Sequence, residues 1–148
     1  METEQQLRFV LDRLAIEDLL HRYSRAIDTK DFGLLAEVFT ADGVGDYSAA
    51  GGIRGSLSEI QAWLAQALGL FTVVQHLITN ARIEIRGDEA TSTCYLFNPL
   101  GYATDGGKVE MLYCGGLYHD QIVRTREGWR IRERVIETLF LDGKLPGS

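Results

Sequence analysis

The chain has no excess of basic residues. Its 15 Lys and Arg face 21 Asp and Glu, giving a net charge of −6 and a pI of about 5.0. A nucleic-acid or anionic-membrane surface needs a cationic field that releases counterions, and that class is excluded here. The one arginine-rich run, Arg124 to Arg134, is interrupted by Glu127 and Glu133 and reads as a solvated strand face. No apolar stretch approaches the ~20 residues that span a bilayer. The opening Met1-Glu-Thr-Glu-Gln is acidic, without the basic and apolar regions of a leader, so a cytoplasmic protein is expected. Cysteine is scarce. Cys94 and Cys114 stand in no Cys-x-x-Cys or Cys/His spacing, so no zinc site is expected. A turn at Asp105-Gly106 would set Cys94 opposite about residue 117 and Cys114 opposite about 97, out of register for a disulfide. Both read as small buried hydrophobes. Gly-x-Ser-x-Gly, the phosphate loop, Gly-x-Gly-x-x-Gly and His-Glu-x-x-His are all missing. Repeats, linkers and low-complexity segments are missing too.

What remains is a 148-residue chain, 45% hydrophobic and 24% charged, enough for one domain with a sizeable core. Residues 5–27 predict a long helix, with Leu7, Val10, Leu11, Leu14, Ile16, Leu19, Leu20, Tyr23 and Ile27 along one stripe. Asp28 falls at its C-terminus, where the helix dipole disfavours an anion and a compensating partner is needed. Residues 31–39 predict a second helix ended near Gly43 in a left-handed conformation, and 44–50 a short strand. Ser56 followed by Glu59 predicts a capping box that opens a third helix, with Ile60, Trp63, Leu64, Ala67 and Leu68 buried.

Beyond Gly69 the pattern changes. Residues 71–86, 90–102, 109–124 and 129–141 predict four strands joined by hairpins, an antiparallel meander. Helices followed by strands give an α+β class: three N-terminal helices packed on the concave face of a curved antiparallel sheet, with a pocket between the layers. Residues 143–148 should be loosely held.

Phe71-Thr-Val-Val-Gln-His76-Leu-Ile-Thr-Asn80 is apolar on both parities and carries one histidine. Alternation sets His76 on the face of Val74 and Ile78. A buried neutral imidazole needs an acceptor, and Asp28 is the nearest plausible one. A carboxylate on Nδ1–H would leave Nε2 as a base. Tyr23, on the helix's apolar stripe, could donate to a developing negative charge. Each residue has a plainer reading: His76 as a satisfied core histidine, Asp28 as the cap of the next helix, Tyr23 as a core aromatic. His21 and His119 read as surface residues.

Ile16-Glu-Asp-Leu-Leu-His-Arg-Tyr23-Ser-Arg-Ala-Ile-Asp28, with the segment Phe32 to Gly43, resembles the opening of SnoaL-like domains of the nuclear transport factor 2-like superfamily. Gly116-Leu-Tyr118-His-Asp120 through Gly128-Trp129-Arg-Ile131-Arg-Glu-Arg134-Val135 is similar to their closing strands. The resemblance covers roughly residues 6–141 and is specific for the family, not for one reaction. One branch, with scytalone dehydratase, bile-acid 7α-dehydratase and hexachlorocyclohexane dehydrochlorinase, carries an Asp–His dyad at the places held by Asp28 and His76. Tyr23 matches a phenol of the bile-acid enzyme. The resemblance implies a cone-shaped, cystatin-like barrel, no metal or organic cofactor, an apolar pocket for a small hydrophobic molecule, and homo-oligomers, trimers before dimers. It implies catalytic roles for His76, Asp28, Tyr23 and a last-strand arginine. Arg132 and Arg134 share a face by alternation, and the place after Trp129-Arg-Ile131 favours Arg134. Tyr47, Asn98, Tyr118 and Arg132 are candidate substrate contacts. A second histidine that scytalone dehydratase carries on a later strand has no counterpart. The implied activity is a cofactor-independent lyase, with isomerase, cyclase or ligand-binding module as the alternatives.

Overall fold

Helix α1 runs from Thr3 to Asp28 in the computed structural model, which describes residues 2–148. Its stripe divides. From Ile16 onward, Leu19, Leu20, Tyr23 and Ile27 are buried, whereas Leu7, Val10, Leu11 and Leu14 are 50–58% exposed. The expected burial of those four leucine and valine side chains is thus corrected. The helix outruns the sheet, and its first half has no apolar partner within the chain. That overhang is anchored by one polar knot. Arg124 grips Asp12 with both terminal nitrogens at 2.7 Å, Trp129 Nε1 donates to the same carboxylate at 3.1 Å, and Arg124 lies 4.3 Å over the Trp129 ring.

The second helix forms as a 3₁₀ turn, Phe32–Glu37, and the chain then extends as β1, Phe39–Asp46. Gly43 therefore sits inside a strand, without the left-handed conformation expected of it. The short β2, Arg54–Ser56, leads into α2, Leu57–Ala67, whose N-terminus carries the predicted capping box between Ser56 and Glu59.

The long strands follow as β3 Phe71–Val74, β4 Leu77–Arg86, β5 Glu89–Ala103, β6 Val109–Thr125 and β7 Gly128–Asp142. The sheet order is β2-β1-β7-β6-β5-β3, with β4 also on β5. The meander β4–β7 is antiparallel, as its hairpins require. β1 adds itself parallel to β7, a pairing between distant segments that local pattern does not reveal. Register shifts in β1–β7, β3–β5, β4–β5 and twice in β6–β7 bend the sheet strongly. The architecture is the expected mixed α+β arrangement, helices against a curled half-barrel.

The predicted strand 71–86 is two strands, and Pro99 explains the break. Val74 pairs with Leu100 and Leu77 with Phe97, which places Gln75 opposite Pro99 and His76 opposite Asn98. Gln75 N–H donates to the Pro99 carbonyl at 3.1 Å, but proline has no N–H to return. The Asn98 side chain substitutes, its Nδ2 donating to the Gln75 carbonyl at 2.7 Å. The ladder opens there, and the next residue, His76, turns its own N–H away from β5.

The cysteines behave as expected. Cys94 pairs with Tyr118 and Cys114 with Asn98, and both thiols are free. Burial pushes the Cys94 thiol up to about 11. The C-terminal residues are mostly exposed, with Tyr102 donating to the Lys144 carbonyl at 2.9 Å.

Candidate active site

The last residue of α1 and the break in the sheet meet. Asp28 Oδ1 lies 2.7 Å from His76 Nδ1, and Asp28 Oδ2 accepts the His76 backbone N–H at 3.0 Å. Two donors from one residue thus compensate the anion at the helix C-terminus. Asp28 does not cap the following 3₁₀ turn; its side chain is committed to His76. A carboxylate only accepts, so Nδ1 carries the proton. Among the described residues, Nε2 has no hydrogen-bond partner. The His76 side chain is 7% exposed and that of Asp28 24%, so the pair sits just beneath the surface. Val74 and Ile78 pack inward with His76, while Val73 and Leu77 face out, so the alternation survives the break.

Behind His76 stands a group of rings. Tyr23 lies edge-on to it, centroids 6.5 Å apart, and edge-on to Tyr118 at 5.5 Å. The hydroxyls of Tyr23 and Tyr47 are 2.7 Å apart. One proton is shared between them, which leaves the other free to be donated. Burial raises the pKa of all three phenols, against the opposing charge of Arg134, so each is a neutral O–H donor.

The guanidinium of Arg134 lies over the rings of Tyr23 and Tyr118, 4.2 and 4.0 Å from their centroids. It is fully buried. Burial alone would disfavour its charge, but the Asp120 carboxylate overcomes this and holds the guanidinium cationic. Asp120 accepts from Nε at 2.7 Å and from Nη2 at 2.8 Å, and is the direct cross-strand neighbour of Arg134. Nη1 has no partner.

Arg132 stands apart. Gln121 pairs with Glu133 and Ile122 with Ile131, so Arg132 is the extra residue of a bulge. The bulge inverts parity. Trp129 and Ile131 point inward before it, Arg134 and Ile136 after it. The two arginines therefore do not share a face. Arg132 is about half exposed and pairs with Glu89, outside the cluster. Asn98 is buried, and its amide is spent on the Gln75 carbonyl. It shapes the backbone that carries His76. Phe39, Tyr47, Phe71 and Tyr118 are buried with Leu96, Trp63 is partly buried against the core, and Tyr113 faces outward.

The interior between helices and sheet is lined by these side chains. A cavity of about 450 Å³ lies on the outer side of the sheet, beside Tyr95, Phe97, Gly115 and Phe140, and one of about 300 Å³ beside Glu84, Arg86 and Gln121. His76 lines neither. Among the described residues no cluster of three or more His, Cys, Asp or Glu could hold a metal ion, and no helix is long and apolar enough to cross a membrane. His119 sits on the outer face, with Nε2 2.7 Å from Glu137.

Sequence reading missed Asp120 and the bulge. Asp120 follows Tyr118-His119 in an alternating strand and looks like a solvent position. Pro99, by contrast, was a visible signal for the strand break.

Fold and site together define a helix-capped, curled-sheet domain with a partly buried carboxylate–imidazole pair. The chain belongs to the SnoaL-like domain family, whose match spans residues 8–135. It is 45% identical over 131 residues to the uncharacterized protein Rv2910c of Mycobacterium tuberculosis, covering 88% of each chain. Among solved structures, the Kfla4162 protein of Kribbella flavida shares 28% identity at a TM-score of 0.80, covering 89% of this chain and 93% of that one. Two others share the fold. One is a putative scytalone dehydratase from Novosphingobium aromaticivorans, at 21% identity, TM-score 0.78 and coverage of 92% and 89%. The other is the hexachlorocyclohexane dehydrochlorinase LinA-type3 from Novosphingobium barchaimii, at 16%, TM-score 0.79 and coverage of 97% and 96%.

Proposed function

We propose that the protein is a cofactor-independent lyase of the dehydratase or elimination type, acting on a small hydrophobic molecule, cyclic and of polyketide or steroid character. The observation that carries this reading is the two-point grip of Asp28 on His76, which protonates Nδ1 and leaves Nε2 unengaged. Nε2 takes a proton from a carbon next to a carbonyl. Asp28 stabilises the imidazolium that forms. The Tyr23–Tyr47 hydroxyl pair and Arg134 donate to the oxygen that gains charge or departs. The leaving hydroxyl exits as water, carrying the abstracted proton. General-base catalysis of this kind contributes typically ~10²–10⁴-fold. The two fold neighbours whose names denote a dehydratase and a dehydrochlorinase support an elimination.

The test is turnover of hydrophobic hydroxy-carbonyl compounds by wild type and His76→Ala, with products weighed by mass spectrometry. Loss of water by the wild type and its absence in the variant is the expected result. Unchanged turnover in His76→Ala would end the mechanism. A product of unchanged mass would place the same dyad in an isomerase or cyclase. A ligand that binds both proteins equally, with no product, would make the domain a binding module.

A further inference from the structure

The Asp120–Arg134 pair does something a stabilising salt bridge need not do. Both side chains have no solvent exposure, and burying two ions costs free energy that their attraction offsets only with full hydrogen bonding. Here the bonding is incomplete. Asp120 takes Nε and Nη2, the rings of Tyr23 and Tyr118 pack against the guanidinium, and Nη1 is a buried donor without an acceptor. The two-point grip of Asp120 fixes the orientation of the guanidinium.

We propose that Asp120 is a positioning residue that sets ligand class: it neutralises Arg134 and leaves it one free nitrogen, Nη1, so the site accepts an uncharged carbonyl or phenol oxygen and rejects a carboxylate. This rests on the reading of the cluster as the substrate site. A carbonyl oxygen needs one or two donors, which Nη1 and the spare Tyr23–Tyr47 hydroxyl proton supply. A carboxylate has about four acceptor positions to satisfy and would lose its water for the two Nη1 hydrogens and one hydroxyl. It would also meet the carboxylate of Asp120 beside the cation, and that of Asp28 beyond the Tyr23 ring, with no free positive charge to balance it. An unclamped arginine would do the opposite and form a two-pronged carboxylate grip.

The experiment is fluorescence titration of β-naphthol and β-naphthoate, a matched neutral and anionic pair at neutral pH, into wild type and Asp120→Asn. The wild type is expected to bind the naphthol at least about tenfold more tightly, and Asp120→Asn to shift the ratio of the two affinities towards naphthoate by about tenfold or more. The ratio is read within one protein and does not depend on how much of it is folded. Should Asp120→Asn not fold by circular dichroism, Asp120→Asn/Arg134→Gln removes both charges and should weaken naphthol binding about tenfold. Naphthoate bound as tightly as naphthol by the wild type overturns the proposal. So does the absence of binding by the wild type, an unchanged ratio in folded Asp120→Asn, or an undiminished naphthol affinity in the double variant. The titration needs no turnover, so a failed lyase assay and a failed ligand-class test are separate results.

Discussion

Replacing Asp28 by asparagine changes little in shape and tests the site at its hinge. The carboxylate accepts from two donors of one residue, Nδ1–H at 2.7 Å and the backbone N–H at 3.0 Å. Asparagine brings one acceptor and one donor. If its oxygen faces the backbone N–H, its NH₂ faces Nδ1, which must then accept, and the ring proton moves to Nε2. Every group is satisfied, but the base is lost. If the oxygen faces Nδ1–H instead, NH₂ opposes the backbone N–H, donor against donor. That arrangement leaves a largely buried donor unpaired, at a cost of about 1–3 kcal/mol, or roughly five- to 150-fold in population. Asp28→Asn should therefore hold His76 mainly as the Nε2–H tautomer. Activity should fall on the order of 10²–10⁴-fold, since the imidazolium also loses its counter-charge. The tautomer is readable without a substrate, from long-range proton–nitrogen correlation spectra of the imidazole. Wild type should show Nδ1–H and Asp28→Asn Nε2–H. An Nε2–H tautomer in the wild type, or no change in the variant, would refute the reasoning.

The Asp12–Arg124–Trp129 knot should govern acid stability. Arg124, hydrogen-bonded to Asp12, holds that carboxyl below the usual range against the opposing effect of burial. A depressed folded pKa adds stability that is complete above the unfolded value near 3.9 and lost as pH falls through the folded one. Urea midpoints of wild type should thus drop below about pH 4, while Asp12→Asn should be about 2–3 kcal/mol weaker at neutral pH and flatter in acid. Gly116→Ala would drive a methyl into the Glu137 carbonyl oxygen, a backbone atom, whereas Gly115→Ala meets the half-exposed Phe140 ring, which can swing aside. Thermal melts should show the first costing about 1–3 kcal/mol and the second less. The outer face exposes Val73, Leu77, Tyr95, Phe97, Tyr113, Leu139 and Phe140 at 36–54%, an apolar area on the order of 600 Å², close to one side of a standard interface. Wild type should sediment as an oligomer and Phe97→Glu as a smaller species; a monomeric wild type would show that this face stays open.

The strands and the capped α2 were legible because each is set by neighbouring residues. Alternation, turn glycines and the Ser56–Glu59 spacing need no knowledge of the rest of the chain. The Asp28–His76 meeting was legible for another reason: a lone imidazole in an apolar segment demands a partner, and few anions were in reach. Arg132 and Arg134 were not separable, because a bulge is one extra residue whose position depends on β6. Alternation carried past it assigns every later side chain to the wrong face. Asp120 was hidden for the same cause, since an aspartate buried opposite an arginine looks like one in water until the register of both strands is known. The stripe at Leu7 to Leu14 shows the reverse error. Periodicity finds an apolar face, but not whether the sheet extends far enough to cover it.

The parallel pairing of β1 with β7 has a consequence for how the molecule comes into being. Asp28 lies in the first element, His76 in the middle and Arg134 in the last strand, so the cluster joins segments more than 100 residues apart. Such contacts close large loops before they return any stabilisation, and chains rich in them fold slowly. On the ribosome, α1 and the β4–β5 hairpin can form early, but the inner face of β6 lacks the partner of Asp120 until β7 has emerged. A nascent chain that ends before Arg134 therefore carries an unpaired carboxylate where the core should close. That penalty disfavours a truncated barrel until the last strand has paired.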